Sequence, residues 1–323
     1  MTALDEAPGK TLRHRGQRLL HRPEAASTIF LLLLVIVLIA AVPGFSAAGN
    51  LQGIISQVAV TGVVALAVNQ VILTGEIDIS TGSALGLTAA VAGAVAEKTG
   101  GVILPLLAAV AVGVVVGVIN GLLVTWAKVA SIIVTLATLS IIRGGLLDQA
   151  GGTVFNPPSD SRGLGTGWIP ILLLAIVGVV FAMINRHTAW GRNTIAVGGN
   201  ERAAEFSGVD IARVKFWTFV AVGVCVGIGA MIYLGQVGQV QATAGTGFEL
   251  QVIAAVVVGG TSITGGRGST MAPIIGAILI GVILNALALL GIAGTWQAFI
   301  LGALILLAIS AEPIRRRISD ARR

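Results

Sequence analysis

Residues 25–75 contain no Lys, Arg, Asp or Glu, and four further charge-free runs follow at 99–127, 163–185, 216–248 and 268–311. About 20 apolar residues suffice to cross the hydrocarbon core of a bilayer. Hydrocarbon offers no partner to an unpaired amide, so such runs must close their hydrogen bonds within a helix. A membrane β-barrel would need short strands alternating apolar and polar residues, and no such alternation is present. The chain is 55% hydrophobic and 11% charged, against about 25% charged in soluble domains. Glycine occurs 44 times in 323 residues, roughly twice ordinary usage. In a membrane, such small residues let helices pack backbone to backbone.

The expected fold is an all-α polytopic membrane protein of about ten helices, at about 26–45, 51–73, 80–96, 101–126, 130–147, 168–186, 214–235, 249–264, 271–290 and 295–311. The second, third, fifth and eighth are short or polar enough to be broken or re-entrant. The domain reading is a basic tail at 1–24, a membrane domain at 25–311 and a second basic tail at 312–323. The first apolar run has the length of a signal-peptide core, and "FSAAG" offers small residues. The 28 residues before it are long for such a signal, so it is read as a retained helix. The lone Cys225 lies in an apolar run and is read as a small buried residue.

The net charge of +6 is a topology signal. With the N-terminus in the cytoplasm, seventeen of the twenty basic residues fall inside. They are the first tail (Lys10, Arg13, Arg15, Arg18, Arg22), Lys128, the loop at 187–213 with its flanks (Arg186, Arg192, Arg202, Arg213, Lys215), Arg267, and the last five. Only Lys98, Arg143 and Arg162 fall outside. This follows the positive-inside rule and puts both termini in the cytoplasm. It also removes the case for nucleic acid as a partner; anionic lipid is the remaining partner for the tails.

Enzyme chemistry is not legible. His14, His21 and His187 lie in charged cytoplasmic segments and form no metal-ligand pattern. "GKT" at 9–11 lacks the glycine a phosphate loop needs five residues earlier, where Leu4 stands. No cofactor, no catalytic residue and no metal site are expected. Two loops stand out. At 143–168, Pro157-Pro158 and several glycines argue against a membrane helix, leaving a connector or a docking surface. At 187–213, Asn200 is a good N-cap and Gly208 a good stop. Between them "ERAAEFS" forms a helix too short to be stable alone.

The polar residues inside apolar runs include Asn69, Gln70, Asn120, Thr135 and Asn285. Each alone reads as a helix-to-helix hydrogen bond; together they could line a polar path. "LTGEIDISTGS" and "GGTSITGGRGS" look like interrupted helices, a transporter feature. "GVINGLL" and "GVILNAL" hint faintly at duplication.

At this point the chain resembles a known family. "LTGEIDISTGSALGLTAAVAG" is similar to the glycine–acid–acid signature of permease subunits of ribose-type bacterial ABC sugar importers. "SIIVTLATLSIIRGG", "AVGGNERAAEFSGVDIARVK", "FELQVIAAVVVGGTSITGGRGS" and "GIAGTWQAFILGALILLAI" resemble further family blocks, in order, from about residue 45 to 311. The resemblance implies a vitamin-B12-importer-like (type II) arrangement of about ten helices in the bacterial inner membrane. It also implies two permease chains, identical or paralogous, a cytoplasmic ATPase that binds the ATP, and an extracytoplasmic sugar-binding protein. The family usually has Gly-Gly-Ile-Asp, and here Glu76 replaces the second glycine. Two other readings stay open: an ion-coupled secondary transporter working without an ATPase, and a membrane scaffold.

The site expectations follow from these readings. A substrate path would use Asn69, Gln70, Asp78, Asn120, Thr135 and Asn285. The coupling loop would use Asn200, Glu201, Ala203, Ala204, Phe206 and Gly208, with Ala203, Ala204 and Phe206 buried against the ATPase. Asp78 is expected to cap and anchor the helix starting near Ser80; sugar contact and surface exposure are the alternatives. Glu76 is expected to point to water.

Overall fold

The computed structural model describes residues 24–150 and 155–320. The basic residues assigned to the first tail, together with Arg322 and Arg323, lie outside the described residues. The helices are α1 (Ala25–Ala41), α2 (Ala48–Leu73), α3 (Thr81–Thr99), α4 (Ile103–Thr125), α5 (Ser131–Ala150), α6 (Ile169–His187), α7 (Ala189–Gly199), α8 (Glu201–Phe206), α9 (Ile211–Val237), α10 (Phe248–Gly259), α11 (Met271–Leu289) and α12 (Gly294–Asp320). Among the described residues there are no named strands, only an isolated bridge between Phe155 and Val240.

A helix occupies each of the ten stretches expected from sequence. Six of them, α2, α4, α5, α6, α9 and α11, are long and apolar enough to cross a membrane by length and composition. The apolar parts of α1, α10 and α12 are shorter, and α3 is diluted by Thr, Ser and Gly. A helix rises 1.5 Å per residue, so the 12 residues of α10 reach only about 18 Å.

The centre of the bundle is formed by α2 and α9, buried over most of their length. Helix α9 packs most closely on α4, where glycines let the backbones touch. A Cβ at Gly113 would collide with the Gly223 carbonyl, and one at Gly117 would lie 2.5 Å from the Phe219 carbonyl. The outward faces of α1, α4 and α6 are the reverse, exposing large side chains such as Leu33, Ile36, Leu104, Leu107, Leu172 and Met183. An apolar surface this broad has no place in water; hydrocarbon is its solvent.

One expectation is corrected. Helix α5 runs through Arg143 and both glycines to Ala150, where a loop was expected from residue 143. A helical glycine costs only about 1 kcal/mol against alanine. Arg143 secures the extension by donating to the carbonyls of Ala242 (3.2 Å) and Ala244 (2.8 Å). Beyond it, Ser159–Gly165 forms a 3-10 turn that packs on the end of α9, with Gly165 against Gly235. Asp160 accepts from the Gly101 amide at 2.9 Å, so the described part of this loop is tied down on the bundle.

Candidate functional site

Helix α2 ends at Leu73, and Gly75 makes the turn with φ of +83°, a conformation that favours glycine. Residues 76–79 carry no regular structure, Ser80 turns into the helix, and α3 begins at Thr81 with its whole first turn buried. Asp78 lies in this strip and is 1% exposed. One of its carboxylate oxygens accepts the Ser80 amide at 2.9 Å and the Ser80 hydroxyl at 2.6 Å. The helix N-cap is Ser80 itself, so Asp78 fixes the turn before the helix rather than capping its first-turn amides. Its burial excludes the surface alternative.

The chain of bonds continues. Asn120 of α4 donates to the Ser80 hydroxyl at 2.9 Å, and Thr138 of α5 donates to the Asn120 carbonyl at 2.7 Å. Ser131 accepts from the Ile77 amide at 3.2 Å, and Thr135 reaches the Ile77 carbonyl at 3.5 Å. Three of the six residues expected in a path, Asp78, Asn120 and Thr135, therefore meet around one strip. The other three lie elsewhere. Asn69 accepts from Thr261 at 2.7 Å and donates to the Ser269 carbonyl, bracing the second break at 260–270. Asn285 pairs with Asn50 at 2.7 and 3.0 Å. Gln70 is fully buried, with neither side-chain amide atom bonded.

A third interruption, absent from the sequence reading, lies at 238–247. It runs antiparallel along α3: Gly93 faces Val240, Gly86 faces Ala244, and Gly82 faces Gly245. Helix α10 then begins at Phe248 beside the first turn of α3. The approach is close enough that a Cβ at Gly82 would sit 2.5 Å from the Gly245 carbonyl and collide with the Glu249 carboxylate.

Beside this junction lies a cavity of about 490 Å³, within the usual range for small-molecule pockets. Its polar lining is Gln57 and Thr61 of α2, Gln236 of α9, Gln239, Gln241, Thr243 and Thr246 of the interruption, and Gln251 of α10. Tyr233 and Phe248 add aromatic surface, and no charged side chain borders it. Among the described residues, the side-chain amides of these five glutamines make no protein hydrogen bond. None of the six expected path residues lines this cavity. Its sequence signal is a polar, uncharged stretch, "QVGQVQATAGTGF", at the end of a charge-free run and just before Glu249.

At the other end of α2 sits the loop at 187–213. Asn200 accepts from the Ala203 amide at 3.0 Å, and Gly208 turns with φ of +82°, so α8 starts and stops where expected. Ala204 does not face outward. It is 5% exposed and packs with Val197 and Val214 of this chain. The face α8 presents outward holds Ala203 and Phe206, the latter 93% exposed. Glu76 is also corrected: it does not point to water but pairs with Lys215 of α9 at 2.7 Å.

A family described as branched-chain amino acid transport system / permease component matches residues 50–309. The ribose import permease protein RbsC of Escherichia coli (strain K12) is 33% identical over 299 residues, covering 90% of this chain and 93% of that protein. Its namesake in Bacillus subtilis (strain 168) is 37% identical over 296 residues, covering 87% and 90%. The L-arabinose ABC transporter permease protein AraH of Azospirillum brasilense is 32% identical over 281 residues, covering 85% and 83%. No solved structure matches. Buried breaks inside an apolar bundle fit a permease, and with a match across most of its length the chain belongs to this family of transport-system permease components.

Proposed function

We propose that the chain forms part of the translocation path of an ATP-binding-cassette importer for a small neutral sugar. The observation that carries this is the cavity beside the junction of α2, α3 and α10, whose lining side chains are polar but uncharged, the Glu249 carboxylate packing against Gly82 rather than lining it. An amino acid brings an ammonium and a carboxylate, which a low-dielectric site must meet with counter-charges. A sugar brings only hydroxyls, each a donor and an acceptor, and a glutamine amide supplies both. The relatives, ribose, L-arabinose and xylose permeases among them, point the same way.

In this reading the chain crosses the bacterial inner membrane ten times in the vitamin-B12-importer-like arrangement, with both termini in the cytoplasm. Helix α2 then runs inward and α9 outward, which puts the cavity in the outer half, where a sugar-binding protein delivers its cargo. Phe206 and Ala203 dock in a groove of the cytoplasmic ATPase, which binds the ATP. A second permease chain completes the path. An ion-coupled mechanism is less well supported, because both acids of the glycine–acid–acid stretch are engaged, Asp78 by Ser80 and Glu76 by Lys215.

The test is uptake of radiolabelled ribose, arabinose and xylose into vesicles holding the permease with and without its ATPase and binding protein. ATP-dependent uptake of one sugar only with all components present is expected. Uptake driven by an ion gradient without the ATPase would contradict the proposal. Labelling of Ala203→Cys by an impermeant reagent from outside intact cells would overturn the orientation. Phe206→Ala should weaken ATPase assembly or sugar-stimulated hydrolysis while leaving the chain inserted.

A further inference from the structure

Lys215 is held by two carboxylates that belong to different parts of the molecule. Its ammonium lies 2.7 Å from Glu76, in the strip between α2 and α3, and 3.1 Å from Glu201, the first residue of α8. The lysine and Glu76 side chains are 12% and 18% exposed, whereas Glu201 is 55% exposed. The first pair is thus shielded from water and salt, and the second is a surface contact of small net value. Lys215 sits in the second turn of α9, next to Val214, which packs on Ala204 of α8. Backbone contacts bring the same elements together nearby. A Cβ at Gly198, at the end of α7, would collide with the Leu73 carbonyl and sit 2.6 Å from the Gly266 amide.

We propose that Lys215 is a positioning residue for coupled transport: it ties the helix that meets the ATPase to the strip that carries Asp78. This rests on the proposed function, since it presumes that α8 moves with nucleotide. The geometry divides the labour. The shielded Glu76 arm stays made as α8 moves, and the exposed Glu201 arm is the one that opens and closes. A shift of α8 then reaches residues 76–80 through one charged side chain. From there it passes to Asp78, two residues from Glu76, and to the first turn of α3 at the cavity. Coupling of this kind needs an element that interacts differently in two states, and the exposed arm provides one.

The experiment uses the full importer in liposomes and reads sugar taken up per ATP hydrolysed, with ribose, arabinose and xylose as probes. Glu76→Gln keeps the side-chain volume and removes the charge. It should leave the complex assembled and hydrolysing ATP, with sugar per ATP lowered about fivefold or more, the lower end of a coupling between sites. Lys215→Glu should do the same or worse. Combining it with Glu76→Lys and Glu201→Lys restores both pairs with reversed sign and should return the ratio to within about twofold of the original. An assembled Glu76→Gln complex with an unchanged ratio would overturn the proposal. So would equal losses of uptake and hydrolysis that the triple reversal fails to repair. Unmodified vesicles that hydrolyse ATP yet admit none of the sugars would overturn the functional reading itself, and the role of Lys215 with it.

Discussion

Two polar clusters sit within reach of the first turn of α3, and they are built on opposite terms. Around Asp78, Ser80, Asn120 and Thr138 the polar atoms bond to one another in a buried chain. Around Gln57, Gln236 and Gln251 the amides face a cavity and bond to nothing in the described chain. A buried polar group without a partner costs about 1–3 kcal/mol. The first cluster avoids that cost by internal closure; the second avoids it because its amides are half-buried or exposed and stay open to water or a ligand. Polar residues in an apolar bundle therefore do two jobs. Those bonded to one another around Asp78 hold the break in place, and those open to the cavity are the ones a substrate can use.

The difference can be broken most severely at Asp78. Asp78→Leu strands both the amide and the hydroxyl of Ser80, so a loss of about 2–6 kcal/mol is expected from two donors. Asp78→Asn keeps an acceptor and should retain far more folded protein in detergent, as judged by thermal unfolding. Equal folding of the two variants with both unable to transport would move Asp78 into the substrate path. Gly82→Ala comes next. Its Cβ meets the Gly245 backbone, which cannot swing aside as a side chain would, and overpacking of this kind costs about 1–3 kcal/mol. A lowered melting temperature is expected, together with loss of uptake as the α3–α10 junction is forced apart. Thr138→Val should cost about 1 kcal/mol by removing one donor from the network, without changing uptake per assembled complex. The smallest effect on stability belongs to the cavity: Gln57→Ala and Gln251→Ala should stay within about 0.5 kcal/mol of the original.

Much of this fold was legible because hydropathy reports the solvent directly. Helix α2 ends at Leu73 and α11 spans Met271–Leu289, each within a residue or two of its expected bounds, since Gly75 and the glycines at 265–268 punctuate runs that are otherwise apolar. The cap at Asn200 and the stop at Gly208 were equally readable, being local chemistry. What stayed hidden depends on pairing across the chain. The sequence shows Glu76 as an extra acid in a motif, and nothing within 130 residues of it says that Lys215 is its partner. Ala204 looks like an interface residue until Val197 and Val214 close on it. The interruption at 238–247 is hard to read from sequence, because an uncharged polar stretch looks like a plain connector. Its descent along α3 is set by glycine contacts more than 140 residues apart.

The central claim is that the open amides serve the sugar and the closed network serves the fold. It is tested most directly by uptake rate per assembled complex at sugar well below half-saturation, where weaker binding lowers the rate, measured side by side for the double variant Gln57→Ala, Gln251→Ala and for Asn120→Ala. The account predicts a rate about tenfold lower for the glutamine pair at unchanged melting temperature, since two neutral hydrogen bonds are worth about 0.5–1.5 kcal/mol each. It predicts a lowered melting temperature for Asn120→Ala with the rate of the assembled fraction unchanged. The opposite pattern, a normal rate without the glutamines and a failed rate in a well-folded Asn120→Ala complex, would contradict it.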